Sequence, residues 1–368
     1  MQRPALHRTP ICPGSTTLNG GRRNLCTFAF RNAPSTMSTE RPLIAVFRGG
    51  YSGESVISHQ SAARMMAALD RERFDPLFVT IEKDRWSCST SEETTVELDR
   101  GRFSVTTAAG ERRFQAALIV IHGAPGENGL LQGYLDMLGI PYQTGGVLNM
   151  ALTFSKYSTT ALLREMGFPV ASSVLLYPDT AGPEALVARL GYPCFVKPDQ
   201  SGSSLGVTKV KRAEDLGPAL AAAFEECPAV MVEGAVAGQE LTCGVLRMDG
   251  SVRALPVCEI RTSREFFDYE AKYHSTDTQE LIPAPLPDEV TRLVQERSAA
   301  IYRALDCSGM VRVDHFWTGS ELFTIEVNTV PGFSKASIFP KMLEVSGVGV
   351  ENAVNAAVQD SLSRTTSH

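Results

Sequence analysis

No stretch of this 368-residue chain holds the ~18–20 consecutive apolar residues that a bilayer-spanning helix needs, which excludes a helical membrane protein. Basic residues are not in excess: 35 Lys and Arg stand against 41 Asp and Glu, a net charge of −6. A general nucleic-acid binder needs basic surface, so that class is set aside. The eight cysteines are scattered and form no CxxC pair. They read as mostly reduced thiols of a cytosolic protein rather than as a disulfide scaffold. There is no Walker A sequence, and the first glycine-rich loop, Gly49-Gly50-Tyr51-Ser52-Gly53, lacks G-x-G-x-x-G spacing. Any nucleotide is therefore held by neither of the common phosphate loops. What is present, 43% hydrophobic and 21% charged residues, is an ordinary globular mix long enough for two or three domains.

The first 36 residues carry five Arg and no Asp or Glu. A transit-type leader has that composition. The absence of an amphipathic pattern favours instead an upstream start, with Met37 opening the working chain. Residues 1–40 are accordingly expected to carry no chemistry. Residues 41–150 alternate strands and helices, the pattern of an open parallel-sheet α/β domain. Apolar runs at 42–47, 74–81 and 117–121 read as strands, and 58–69 reads as a helix. The glycine-rich loop and His122-Gly123 fall at the carboxyl ends of strands, where such sheets bind ligands. From about residue 151 the pattern becomes α+β and mainly antiparallel. It divides into a central unit, 151–235, and a carboxy-terminal one, 236–362, with a hairpin around Asp249-Gly250 and a last hairpin at 310–328.

That last hairpin is the most informative segment. In Arg312-Val-Asp314 and Glu326-Val-Asn328 the polar residues alternate with Val, so they share one face of each strand. A connection centred on Ser320 places Asp314 opposite Glu326 and Arg312 opposite Asn328. Opposed like charges repel, and a cation between them removes that cost. Two carboxylates and an amide oxygen make a hard site suited to Mg²⁺. A solvated face with Arg312 neutralising both acids is the alternative. Upstream, residues 197–206 form a Gly/Ser loop whose backbone N–H groups and Lys197 suit a phosphate. Gly202 to Gly206 also fits G-x-S-x-G, but the following segment is strand-like, which counts against the serine-hydrolase elbow. Glu233 and Glu240 bracket a strand–linker–strand, and the aromatic and polar residues 266–273 suit a lid.

In order, the stretches GGYSGESVIS, HGAPGENG, FVKPDQSGSSLGV, VEGAVAGQE, FFDYEAKY, GMVRVDHF and EVNTVPGFSKASIFP resemble the D-alanine–D-alanine ligases of the ATP-grasp superfamily. The resemblance spans about residues 43–345. It implies an amino-terminal substrate-binding domain followed by a two-part ATP-grasp fold, acting as a cytoplasmic homodimer on ATP and two D-alanines. It also implies roles. Lys156, Lys197 and Lys272 would contact ATP phosphates, Glu233 and Glu240 adenine and ribose, and Asp314, Glu326 and Asn328 Mg²⁺ or Mn²⁺. Glu54 would hold the first D-alanine's ammonium beside His122, Ser337 the second one's carboxylate, and Ser203 and Tyr273 would join Glu54 in a lid-closing chain. Arg312 and the Gly332 N–H are the candidate donors for the tetrahedral oxyanion. Asn128, Asp199-Gln200 and His315 depart from commoner choices in the family without removing an assigned group. The rivals are a D-lactate- or D-serine-accepting ligase, another ATP-grasp carboxylate–amine ligase and a non-catalytic nucleotide-binding regulator.

Overall fold

The computed structural model describes residues 41–91, 94–108, 110–202, 205–262 and 278–364. The first sheet is built around β1 (Leu43–Gly49), which pairs in parallel with both β2 (Asp75–Ile81) and β7 (Ala116–Ile119). β1 is apolar throughout because both its faces are covered. Ile44 and Val46 pack with Met65 of α1 (Ser55–Ala68), whereas Leu43, Ala45 and Phe47 pack with Phe103 and Leu131. The sheet is not wholly parallel. β3 (Trp86–Ser89) and β4 (Thr95–Glu97) extend it on the β2 side as antiparallel strands. Only residues 82–85 join β2 to β3, far too few for the crossover that a parallel neighbour requires. β5 (Ser104–Thr107) and β6 (Gly110–Arg113) form a separate hairpin. Two short helices, α2 (Leu130–Met137) and α3 (Val147–Phe154), follow β7.

After α4 (Lys156–Glu165), a four-stranded antiparallel sheet runs β10-β9-β11-β8. Its strands are β8 (Ser173–Leu176), β9 (Cys194–Pro198), β10 (Thr208–Val210) and β11 (Val230–Gly234). α5 (Pro183–Ala188) and α6 (Leu216–Glu226) supply Val187, Leu220 and Ala223 to its core. The third sheet runs β15-β14-β12-β16-β17, with β13 on β12. It comprises β12 (Gln239–Met248), β13 (Ser251–Ala254), β14 (Cys258–Arg261), β15 (Gln279–Leu281), β16 (Met310–Trp317) and β17 (Leu322–Asn328). The hairpin at Asp249-Gly250 has both residues left-handed (φ 52° and 72°), as a two-residue turn joining twisted strands demands. Beyond that turn the chain forms two strands, β13 and β14, separated by residues 255–257. α7 (Asp288–Ala304) covers one face with Val290, Val294 and Ile301, and α8 (Ile338–Val345) and α9 (Val350–Ser363) pack against the amino-terminal core. Among the described residues no helix is long and apolar enough to cross a membrane.

The β16–β17 hairpin gives the expected pairing by a different route. Its turn, 318–321, has four residues, so Trp317 opposes Leu322 and His315 opposes Thr324. That register alone would leave Asp314 opposite Ile325. A bulge between Asp314 and His315 absorbs Ile325 and restores Asp314 to Glu326 and Arg312 to Asn328. Val311, Val313 and Val327 point into the core. The polar set takes the other face.

Candidate active site

β1 ends in Gly49-Gly50, both left-handed (φ 94° and 103°), and a Cβ on Gly49 would lie 2.5 Å from the Ile81 carbonyl. Only glycine lets the chain turn there. The Gly50 N–H donates to Ile81 O and the Tyr51 N–H to Ala124 O, both at 2.9 Å, laying the loop over the carboxyl edge of the sheet. Glu54 immediately precedes α1, and its carboxylate makes no capping bond to that helix. It reaches the Gly/Ser loop instead, because a Cβ on Gly202 would overlap it.

His122 follows β7 and is buried, with Nδ1 2.9 Å from Val330 O and Nε2 3.2 Å from Ser61 Oγ. Burial lowers its pKa, opposed by the Glu54 charge and the Val330 bond. Glu127 closes the same loop. It accepts the Gly123 N–H at 2.6 Å and the Val330 N–H at 3.3 Å. Burial, and then the nearby Glu54 charge, push its carboxyl up to about 8. The neutral form is thus the one that folding favours. That contribution to stability is complete below the ordinary value of 4.5 and is lost as pH rises through about 8. Glu127→Gln should therefore flatten the fall in melting temperature between about pH 5 and 9, read by calorimetry; an unaltered slope rejects this account.

On the other side, Lys197 of β9 reaches Glu233 of β11 at 2.5 Å. Glu233 is 3% exposed, and its Oε1 is buried with no hydrogen-bond partner among the described residues. A buried carboxylate oxygen left so is costly and fits an N–H donor brought by a ligand. Glu240 lies on β12, across the 235–238 linker. Lys156 opens α4, where Ser155 Oγ caps the Ser158 N–H. Its Nζ donates to Ser201 O at 2.5 Å and lies 3.3 Å from Glu326 Oε1. Asp199, buried, pins the same helix end: its Oδ1 accepts the Tyr157 N–H at 2.8 Å and its carbonyl the Lys156 N–H at 3.1 Å. A carboxylate is favoured at a helix amino terminus. On the phosphate-contacting role that the resemblance implies for Lys156, Asp199→Ala should loosen that lysine and raise the KM for nucleotide several-fold, with Asp199→Asn intermediate; equal KM values in steady-state kinetics would count against it.

On the β16–β17 face Arg312 grips Asp314 bidentately, Nε and Nη2 each 2.9 Å from an oxygen. Asp314 also accepts from Thr242 Oγ1 at 2.6 Å and Asn328 Nδ2 at 2.9 Å. With its amide nitrogen turned to Asp314, Asn328 has the oxygen left to offer a cation. Arg312 pairs with Asp314, and Lys156 lies 3.3 Å from Glu326. Among the described residues no three His, Cys, Asp or Glu cluster, so the set that fits a metal is the two acids and one amide. Arg312 and Glu54 both act on His122, and Glu326 acts on Glu127, so the hairpin and the β1–α1 loop face one space.

Ser337 occupies the N-cap position of α8 yet makes no capping bond; its Oγ accepts the Ser334 N–H at 2.9 Å. A Cβ on Gly332 would lie 3.0 Å from it. Ser203, Lys272, Tyr273 and the lid at 266–273 lie outside the described residues. Sequence reasoning passed over Glu127, Asp199, Thr242 and Ser61. Ser58 and Ser61, four and seven residues beyond Glu54 on the buried face of α1, were the available signal.

Two family profiles match nearly end to end: D-ala D-ala ligase N-terminus over residues 43–145 and D-ala D-ala ligase C-terminus over 162–359. The D-alanine--D-alanine ligase of Porphyromonas gingivalis (strain W83) is 43% identical over 329 residues, covering 89% of this chain and 99% of its own. That of Phocaeicola vulgatus is 38% identical over 319 residues, covering 86% and 98%. Among solved structures, VanG D-Ala:D-Ser ligase from Enterococcus faecalis aligns with a TM-score of 0.79 at 31% identity, over 87% of this chain and 99% of that one. D-alanine--D-alanine ligase from Bacillus anthracis complexed with ATP aligns with a TM-score of 0.71 at 30% identity, over 88% and 98%. With both halves matched and relatives spanned over almost their full length, this chain belongs to the D-alanine–D-alanine ligase family and has its ATP-grasp fold.

Proposed function

We propose that this protein joins two molecules of D-alanine with ATP, giving D-alanyl-D-alanine, ADP and phosphate, in the cytoplasmic synthesis of peptidoglycan precursors. The observation that carries the reading is the Lys156–Glu326 ion pair, which sets the phosphate-side lysine against the acid face of the last hairpin. The first D-alanine lies with its ammonium at Glu54 and its carboxylate toward the γ-phosphate of ATP. That carboxylate attacks phosphorus, ADP leaves, and an acyl phosphate results. Lys156 and Lys197 neutralise phosphate charge, while the buried Glu233 Oε1 takes the adenine amino group and Glu240 the ribose. Asp314, Glu326 and Asn328 hold Mg²⁺ or Mn²⁺, which when bound offsets phosphate charge in the transfer.

The second D-alanine, its carboxylate at Ser337, loses an ammonium proton and attacks the acyl carbon. The tetrahedral oxyanion meets Arg312 and the Gly332 N–H, and its collapse expels phosphate. Lys272, with Ser203 and Tyr273 joined to Glu54, closes the site against water. The working unit is a homodimer.

A D-serine acceptor is the second reading, favoured by the alignment to a D-Ala:D-Ser ligase. Phosphate release from ATP, with D-alanine alone or with added D-serine, D-lactate or L-alanine, tests both. The expected result is release with D-alanine alone together with the dipeptide. A mixed product dominating at equal concentrations transfers the assignment to the second reading, and no D-alanine-dependent release ends both.

A further inference from the structure

Ser58 and Ser61 are both fully buried on the face of α1 that follows Glu54. Ser58 serves the fold: its Oγ donates to Val120 O at 2.7 Å and accepts the Gly49 N–H at 3.1 Å, tying α1 to two strand ends. Ser61 leaves its own helix altogether. A buried helical serine commonly bonds back to a carbonyl three or four residues earlier, as Ser361 does to Val358 O at 2.7 Å. Ser61 Oγ instead accepts the Phe333 N–H at 3.0 Å and meets His122 Nε2 at 3.2 Å.

The protons in this contact can be placed. Val330 O only accepts, so His122 Nδ1, 2.9 Å away, carries the proton. Burial keeps the ring neutral, so Nε2 accepts and the Ser61 hydroxyl donates to it. The resulting circuit runs from the Phe333 N–H through Ser61 and His122 to Val330 O. It leaves and rejoins the same turn, on either side of Pro331-Gly332. The remaining donors of that turn are also taken: the Val330 N–H by Glu127 and the Ser334 N–H by Ser337. Pro331 has none. From 330 to 334 the Gly332 N–H alone has no acceptor among the described residues, and Gly332 is partly exposed.

We propose that Ser61 is a positioning residue for the bond-forming step: with His122 it braces the turn at both ends so that the Gly332 N–H is held ready for the oxyanion. This rests on the reading of Gly332 given above. The test uses the full-length enzyme and three measurements: the kcat of dipeptide formation, the Kd for ATP, and the Ki of a phosphinate dipeptide analogue whose tetrahedral centre imitates the intermediate. Ser61→Ala should lower kcat and weaken the analogue in parallel, by about 10–100-fold, with the ATP Kd within twofold of wild type. Ser61→Cys, a weaker donor at the same place, should fall between, and carries the comparison if the alanine variant does not fold.

Analogue affinity unchanged in the variants overturns the proposal. So does a loss shared equally by ATP and analogue, which marks general loosening. Failure of the function itself is distinguishable, because it appears as no D-alanine-dependent phosphate release in the unmodified enzyme.

Discussion

Glu326→Ala is expected to abolish ligation, by a thousand-fold or more in kcat, while leaving the fold intact. The loss follows from two duties. Glu326 supplies one of the two charged oxygens of the proposed cation site, and it holds Lys156 at 3.3 Å. A bound divalent ion is worth several kcal/mol to a transferring phosphoryl group, and each ~1.4 kcal/mol is tenfold in rate. Stability should change little. The side chain is a third exposed, such ion pairs contribute only ~0–1 kcal/mol, and removing one of two opposed acids relieves repulsion. The measurements are kcat, the melting temperature and Mn²⁺ binding to the nucleotide-free protein by calorimetry. The variant should melt within a few degrees of wild type and bind the ion at least tenfold more weakly. Turnover above a tenth of wild type would remove Glu326 from the site. Glu326→Gln, which keeps the shape and loses the charge, should be nearly as inactive.

The hairpin was readable from its alternation alone, because a period of two decides which residues share a face whatever the turn does. Its register was not. A turn centred on Ser320 gives the correct partners for Asp314, but the turn found is one residue shorter in effect and a bulge at Ile325 makes up the difference. Bulges leave no reliable local mark, since they settle a mismatch between strands rather than express a residue's preference. The antiparallel edge strands β3 and β4 were missed because the region between residues 82 and 115 has neither strong alternation nor helical spacing. The cation bookkeeping of the acid pair was also hidden. Lys156 and Glu326 are brought together by the packing of α4 on β17, and nothing in either local sequence points to the other. Asp199 is similar: a family departure that looks neutral in sequence proves to cap the helix that carries Lys156. Composition and motif order thus carried the fold and the family, while the supports beneath the site became visible only where distant backbone groups met.

Arg312→Ala should cost about 10²–10³ in kcat, the usual loss for one donor to a developing oxyanion, with a smaller change in the KM for ATP. The geometry makes the loss larger than a charge count suggests. Arg312 places two N–H groups on Asp314 at 2.9 Å each, and five donors in a rigid fork let it keep that grip while turning another toward substrate. Removing it takes away the proposed oxyanion donor and also strips Asp314 of two charged N–H bonds, while those from Thr242 and Asn328 stay. Arg312→Lys tests which part matters. A lysine restores the charge near Asp314 but cannot bond both its oxygens and reach the reacting carbon together. Ion binding should therefore recover in the lysine variant, while kcat stays at least tenfold below wild type. If lysine restored kcat fully, the guanidinium would be acting only as a counter-charge to Asp314, and the oxyanion role would fall to Gly332 alone.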